Sequence, residues 1–317
     1  MSKENGRRLG WVGAGRMGHA LAARLLAAGH DVAVYNRTRS KAESLAEAGA
    51  TVVDSPAELC DREVVFTMVA GPEDFKEVVL GPSGVLAGNG SVPSVIVDLT
   101  TVSPEASAAV REEAAGRGVA LIAAPVSGNP KVVEAGRVTL VASGPREGYD
   151  AVAPLLALLG AGVTYVGDGE KARLAKICHN LMLGVVAQCM AEITVLAEKG
   201  GMSRADFLDF LNGSVMGSMF TRYKTPAYVN LDFTPTFTPL LLRKDFDLGM
   251  QAARELDVPM PVAAAAQQMI QALIGSGHTD EDFAALLAQQ AQASGLELVS
   301  EEADVDECLL EPAPAGG

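Results

Sequence analysis

The sequence opens without a hydrophobic export core: its first eight residues are MSKENGRR, and the expectation is a cytoplasmic chain. Cysteine is scarce and scattered. Cys60, Cys178, Cys189 and Cys308 form no CxxC pair, and a chain of this size needs no disulfide framework, which points to free thiols in a reducing compartment. The four histidines (His19, His30, His179, His278) show no metal-ligand spacing, and no metal is expected. The longest apolar stretch, Leu181–Leu196, is short for a bilayer and carries Gln188 and Glu192. It reads as a buried helix, and no membrane partner is expected. Basic clusters are lacking too: the net charge is −14, which argues against nucleic acid as a partner. From Glu297 onward there is no lysine or arginine, only Glu297, Glu301, Glu302, Asp304, Asp306, Glu307 and Glu311 among the charged residues. That stretch reads as a solvated acidic tail rather than a docking segment.

A length of 317 residues suits two domains, and 49% hydrophobic residues suffice for two cores. In the first half, β-branched runs alternate with Ala- and Leu-rich stretches. Strands are expected at 9–13, 31–36, 64–69, 95–99 and 119–123, with two more at 138–143 and 163–166. Helices are expected at 16–28, 40–48, 73–80 and 104–117, the last opened by Pro104. Such alternation specifies a parallel sheet covered on both faces. From Glu170 to Lys199 there is no proline and a single glycine, Gly184, so one long helix of about 45 Å is expected there. Beyond Gly200 no strand is evident. Helices are expected at 203–212, 244–255, 261–276 and 281–293, with Ser203/Asp206 and Thr279/Asp282 as capping arrangements. The fold class is therefore α/β: an N-terminal Rossmann-type parallel sheet domain (1–168) and an all-α domain (169–296) joined by a long helix, followed by the acidic tail (297–317).

Gly13-Ala14-Gly15-Arg16-Met17-Gly18 follows the apolar run Leu9–Val12 and opens a helix. Gly13 permits the tight turn, Gly15 lets backbone approach a pyrophosphate, and Gly18 lets helix pack on strand. The helix N-terminus then offers N–H groups and a dipole to the anion. Alone, such a loop can be glycine-rich without a ligand; its place in the first βαβ unit favours a dinucleotide. The second strand ends Tyr35-Asn36-Arg37-Thr38-Arg39. An NAD site usually carries a carboxylate there. Asn36 brings no repulsion of a phosphate, Arg37 can pair with a 2′-phosphate, Thr38 can donate a hydroxyl, and Arg39 or Lys41 adds positive charge. An ordinary basic surface turn is the alternative. The cofactor expected is NADP(H).

Four further segments stand in a recognisable order: Asp98-Leu99-Thr100-Thr101-Val102-Ser103-Pro104, Ala124-Pro125-Val126-Ser127-Gly128, Gly167-Asp168-Gly169 with Lys176 and Asn180, and Lys244-Asp245 with Leu248. With the glycine loop they resemble the β-hydroxyacid dehydrogenase family over residues 9–295. That family includes 3-hydroxyisobutyrate dehydrogenase and the glyoxylate and succinic semialdehyde reductases. The resemblance implies Lys176 as general acid/base and Asn180 as its partner on the same helical face. It implies Met68, Val69, Thr101 and Lys244 beside the cofactor, and Thr101, Ser127, Gly128, Asn129, Phe237 and Asp245 beside a small-molecule substrate. It also implies a homodimer, or a tetramer, through the helical domain.

The residues themselves allow the same chemistry. A lysine among apolar helix neighbours is desolvated, which favours proton exchange near neutrality; a lysine snorkelling from a buried helix is the plainer alternative. Asp245 can line a site or pair structurally, and His179 can relay a proton or pack between helices. Ala123 and Asn129 depart from the Asp and second Gly common at those places, which withholds the substrate's identity. The reading is an NADP-dependent oxidoreductase interconverting a short β-hydroxyacid, or related alcohol, and its aldehyde or ketone. An imine reductase on the same fold usually carries Asp or Tyr in place of Lys176. A 6-phosphogluconate dehydrogenase needs a larger helical domain, and a non-catalytic dinucleotide-binding scaffold would not need the Lys176/Asn180 pair.

Overall fold

A computed structural model of the chain describes residues 6–88 and 90–305. These fall into two compact units divided after Lys176, eight residues beyond the boundary expected at 168.

The first unit is built on six parallel strands. They are β1 (Arg8–Val12), β2 (Asp31–Tyr35), β3 (Thr51–Val52), β4 (Val64–Thr67), β5 (Val95–Asp98) and β6 (Ala120–Ala123). Their spatial order is β3-β2-β1-β4-β5-β6. Helices α1 (Arg16–Ala27), α2 (Ser40–Glu47), α3 (Pro72–Leu80) and α4 (Pro104–Gly116) make the crossovers. The β4 and β5 residues are buried throughout, as strands covered on both faces must be. Trp11 on β1 stacks on Phe66 of β4 with ring centroids 5.4 Å apart. The order reverses at β1, so the crevice beyond the strand ends opens between β1 and β4. Pairing sets what meets there. Val12 is in register with Tyr35 on one side and Thr67 on the other, which brings Gly13, Asn36 and Met68 to one edge.

The two later strands do not extend this sheet. With the short β7 (Val126–Ser127), β8 (Thr139–Ala142) and β9 (Gly162–Tyr165) form a second sheet in the order β7-β8-β9, the first pair antiparallel. The small helix α5 (Pro130–Glu134) and the longer α6 (Arg146–Leu159) connect its strands. An Ala123–Ser143 bridge ties this sheet to β6.

Helix α7 runs unbroken from Lys171 to Lys199, so its first turns belong to the first unit and the rest to the second. By length and hydropathy it meets the requirements for a bilayer span, but half of its most apolar window is buried within the protein.

The second unit is helical: α8 (Arg204–Gly213), α9 (Met219–Asn230), α10 (Pro239–Glu255), α11 (Pro261–Gly275) and α12 (Leu286–Ala293). Ser203 caps α8 as expected, accepting from the Asp206 N–H. The Thr279/Asp282 arrangement is different: Asp282 is itself the cap, of a 3-10 turn at Phe283–Ala285. Helix α9, unforeseen, opens with a capping box between Ser218 and Thr221.

Gly184 explains why the long helix contains a glycine. A Cβ there would lie 2.3 Å from Phe246 Cε2, and one at Gly249 would lie 2.6 Å from Leu181 Cδ1. Helices α7 and α10 therefore approach closely at two points, each where one of them carries a glycine.

The expected solvated tail needs correction over residues 297–305. Glu301 accepts from the Arg204 and Ala205 N–H groups at 2.7 and 2.9 Å, filling the start of α8 where an anion is favoured. Asn230 exchanges two hydrogen bonds with Ala303, at 2.9 and 3.0 Å. Residues 306–317 lie outside the described residues.

Candidate active site

The glycine loop has the conformation its residues were expected to require. Gly13 has φ +100°, and a Cβ there would meet the Met68 carbonyl oxygen at 2.1 Å. At Gly18 a Cβ would meet the Gly13 oxygen at 2.0 Å. That oxygen already accepts from the buried Trp11 indole at 2.9 Å. Around Gly15, by contrast, a Cβ would meet nothing within 4 Å. No side chain caps α1, and its first turn holds no acid. A tight turn, an open position and an uncapped helix start fit an anionic group such as a dinucleotide pyrophosphate.

Asn36 has a structural task. Its Oδ1 accepts from the Ala14 N–H and its Nδ2 donates to the Thr38 carbonyl, both at 2.8 Å. It thus ties the glycine loop to the turn carrying Arg37 and Thr38. Arg37 is 81% exposed in its side chain and pairs with Asp74 at 3.0 Å, a contact a phosphate can replace. Arg39 is paired with Asp54. Arg16, Thr38 and Lys41 are exposed, and Met17 is half-buried.

Met68 and Val69 follow β4 directly. The Met68 N–H donates to the Val12 carbonyl at 2.8 Å, and that of Val69 donates to Thr100 Oγ1 at 3.1 Å. Glycine loop, β4 end and the loop carrying Thr101 are thereby joined. Ser127 lies on β7, and Gly128 takes φ +138° against Val138. The Asn129 side-chain oxygen is engaged locally, capping α5 by accepting from the Val132 N–H at 3.1 Å.

Lys176 is 9% exposed on α7. The start of that helix is clamped to the first unit. Ser143 Oγ donates to the Gly169 carbonyl at 2.7 Å and accepts from the Ala172 N–H at 3.0 Å. Glu170 pairs with Arg111 at 2.7 Å.

Asn180, one turn on and 4% exposed, is held at both ends of its amide. Nδ2 donates to Asp245 Oδ2 at 2.5 Å, and Oδ1 lies 2.8 Å from His179 Nδ1. His179 is exposed on the same turn of α7. Asp245 is buried, with Lys244 Nζ 3.4 Å from its Oδ1. Phe237 lies in the loop before α10, edge-on to Phe283 at 6.0 Å.

Two buried ion pairs escaped the sequence reading. Arg173 meets Asp98 at 2.6 Å; an arginine one turn before Lys176 on an apolar helix was the available signal. Lys224 meets Asp282 at 2.6 Å, and its ammonium lies 4.4 Å from the centre of the Phe283 ring. Asp282 also accepts from Thr236 Oγ1 at 2.6 Å and from the Thr236 and Phe237 N–H groups at 2.9 and 3.2 Å. Burial alone would raise the Asp282 carboxyl, but the Lys224 charge and these hydrogen bonds hold it below the ordinary value. This cluster fixes the loop that carries Phe237.

Sheet order and glycine loop together fit a dinucleotide-binding protein, and the comparisons with known proteins specify a nicotinamide dinucleotide. Residues 8–167 match a family model described as the NAD binding domain of 6-phosphogluconate dehydrogenase. Residues 169–289 match one described as the NAD-binding of NADP-dependent 3-hydroxyisobutyrate dehydrogenase. Glyoxylate/succinic semialdehyde reductase 1 of Arabidopsis thaliana is 32% identical, and the match covers 88% of this chain and 96% of that protein. The 3-hydroxyisobutyrate dehydrogenase of Pseudomonas aeruginosa is 30% identical, with the same coverage. The chain spans about half (52%) of cytokine-like nuclear factor N-PAC from Xenopus tropicalis, to which it is 32% identical over 88% of its own length. Among solved structures, Mycobacterium tuberculosis 3-hydroxyisobutyrate dehydrogenase with L-serine superposes with a TM-score of 0.78 at 27% identity, covering 89% of this chain and 98% of that one. The chain belongs to the β-hydroxyacid dehydrogenase family of oxidoreductases.

Proposed function

We propose that the chain is an NADP-dependent oxidoreductase that interconverts a short β-hydroxyacid and its aldehyde or ketone, with Lys176 as the proton-exchanging group. The observation that carries this reading is the buried pair Lys176 and Asn180, one helical turn apart on α7 and 9% and 4% exposed. Residues so spaced share one face, so both side chains can address one substrate oxygen.

Gly13, Ala14, Gly15, Arg16, Met17 and Gly18 would hold the dinucleotide pyrophosphate at the start of α1. Arg37 and Thr38 would take its 2′-phosphate, positioned by Asn36, while Met68, Val69, Thr101 and Lys244 would flank the rest. When bound, the dinucleotide supplies or accepts the hydride. In reduction, Lys176 donates a proton to the carbonyl oxygen as negative charge develops on it; in oxidation it removes the hydroxyl proton. Asn180 donates a hydrogen bond to that same oxygen, its amide plane set by Asp245 and His179.

Thr101, Ser127 and the Gly128 backbone offer hydroxyl and N–H donors suited to a carboxylate. Asn129 has only its Nδ2 left to offer, because its oxygen caps α5. Phe237 would cover the substrate. L-serine, present in the related M. tuberculosis structure, is chemically a short 3-hydroxy acid, in keeping with this class. Pairing of two or more copies through the helical unit belongs to the same proposal.

A panel of short aldehydes, 3-hydroxy acids and cyclic imines, each assayed with NADP(H) and NAD(H), tests the reading. Turnover of the acids and aldehydes with NADP(H) is expected, and Lys176→Ala should abolish it while leaving NADPH affinity intact. Reaction with imines alone, or full turnover by Lys176→Ala, would overturn it.

A further inference from the structure

Arg173 is fully buried on α7, three residues before Lys176, and its guanidinium joins the end of β5, the loop after it and α4, with Glu170 3.8 Å from its Nε. Nη2 lies 2.6 Å from Asp98 Oδ2. Nη1 donates to the Thr100 carbonyl at 2.6 Å, and Nε donates to Ser107 Oγ at 3.1 Å. The other oxygen of Asp98 accepts from the Thr67 and Thr100 hydroxyls at 2.6 and 2.7 Å. The Thr100 hydroxyl in turn accepts from the Val69 N–H at 3.1 Å. Arg173 also lies 5.8 Å from the centre of the Phe75 ring.

Fold stability is a weak reason for such a pair. A buried ion pair costs desolvation, and apolar residues of equal volume often hold a core as well or better. What a guanidinium fork adds is direction, since its donors are fixed in a plane. The parts it fixes are the first turns of α7, the ends of β4 and β5, and the loop carrying Thr101. Residues three apart on a helix are neighbours, so holding Arg173 also holds the backbone of Lys176.

We propose that the Arg173–Asp98 pair is a positioning device that sets Lys176 against the Thr101 loop and the Met68–Val69 edge. The inference rests on the reading of Lys176 as the proton-exchanging group. Both side chains are fully buried, so the pair is assigned a role through the helix turn and the loop, not at the reacting atoms. Misplacing a reacting group by ~1 Å can cost about 100-fold in rate, so a small relaxation of this turn is enough to matter.

The test is steady-state kinetics on the full chain, with NADP+ and 3-hydroxyisobutyrate or whichever panel member turns over fastest, alongside NADPH titration and thermal unfolding. Arg173→Met and Asp98→Asn should lower kcat by roughly 100-fold in protein that is folded at the assay temperature, with the NADPH dissociation constant changed by less than about twofold. Arg173→Lys, which keeps the charge, should recover part of the loss. A single variant can fail to fold because it strands a buried charge. The double variant Asp98→Asn/Arg173→Met removes both charges of the pair and leaves Glu170, 3.8 Å from Arg173, with Arg111 at 2.7 Å; it should be folded yet still slow. Wild-type kcat in the folded double variant would overturn the proposal, as would losses in kcat that vanish once corrected for folded fraction. Failure of the underlying reading looks different: Lys176→Ala would then retain turnover whatever the Arg173 variants do.

Discussion

Asn180 and Asp245 are 65 residues apart in sequence, yet the Asn180 amide donates to the Asp245 carboxylate at 2.5 Å. The contact exists because α7 and α10 meet glycine to side chain at Gly184/Phe246 and Leu181/Gly249. It leaves the amide one orientation. Asp245→Ala should therefore lower kcat by about 10- to 100-fold, the scale of a lost buried hydrogen-bond partner, with NADPH affinity unchanged. Single-turnover kinetics separates this from slow product release. An unaltered rate of the chemical step would remove Asp245 from the positioning of Asn180.

Close approach of the two helices is itself testable. A methyl group at Gly184 would meet Phe246 at 2.3 Å, so Gly184→Ala should destabilise by about 1–3 kcal/mol through overpacking. Thermal unfolding of the full chain reads the loss. Phe246→Leu in the same background should return part of it by making room.

Cofactor choice turns on Arg37. Its guanidinium reaches Asp74 and is largely exposed, so a 2′-phosphate need only displace one surface carboxylate. Arg37→Ala should weaken NADPH by roughly tenfold relative to NADH, the scale of one charge-assisted hydrogen bond. Asp74→Asn should shift the ratio towards NADPH. Titration of each variant with both dinucleotides decides it, and an unmoved ratio would place the 2′-phosphate elsewhere.

Acid sensitivity should centre on Asp282. Its carboxyl is held below the ordinary value in the folded protein, so the unfolded chain takes up its proton first as pH falls. The stability it contributes is complete above the unfolded value of about 4. It is lost as pH falls from there through the lower folded value. Stability measured by denaturant titration across this range should fall less steeply in Asp282→Asn, which starts from a lower plateau because Lys224 loses its partner. Equal slopes would assign the acid sensitivity to other groups.

The parallel sheet was legible because strands buried on both faces read as unbroken apolar runs, as in VVF at 64–66 and VIV at 95–97. The glycine loop was legible because Gly13 and Gly18 each answer a local steric demand. Helix α9 was not: Pro226 lies inside it where a sequence pattern reads a helix stop, and its capping box uses Thr221 where a Glu or Gln would have been the clearer sign. Strand β7, two residues long, carries no period at all. The roles of Asp98, Arg173, Asp245 and Asp282 depend on partners distant in sequence, which no local pattern specifies. The acidic stretch misled for the same reason. Glu301 reads as solvated until the start of α8 is placed against it.

Helix α7 is continuous from Lys171 to Lys199, which makes the spacing of Lys176 and Asn180 intolerant of length change. Inserting or deleting one residue between them would turn one side chain about 100° away from the other. Loops absorb such changes readily; a helix interior cannot. On the proposed mechanism, divergence can proceed by substitution at Asn129, Phe237 or Arg37 and by length variation in the connecting loops. The four-residue step from Lys176 to Asn180 would have to be inherited whole.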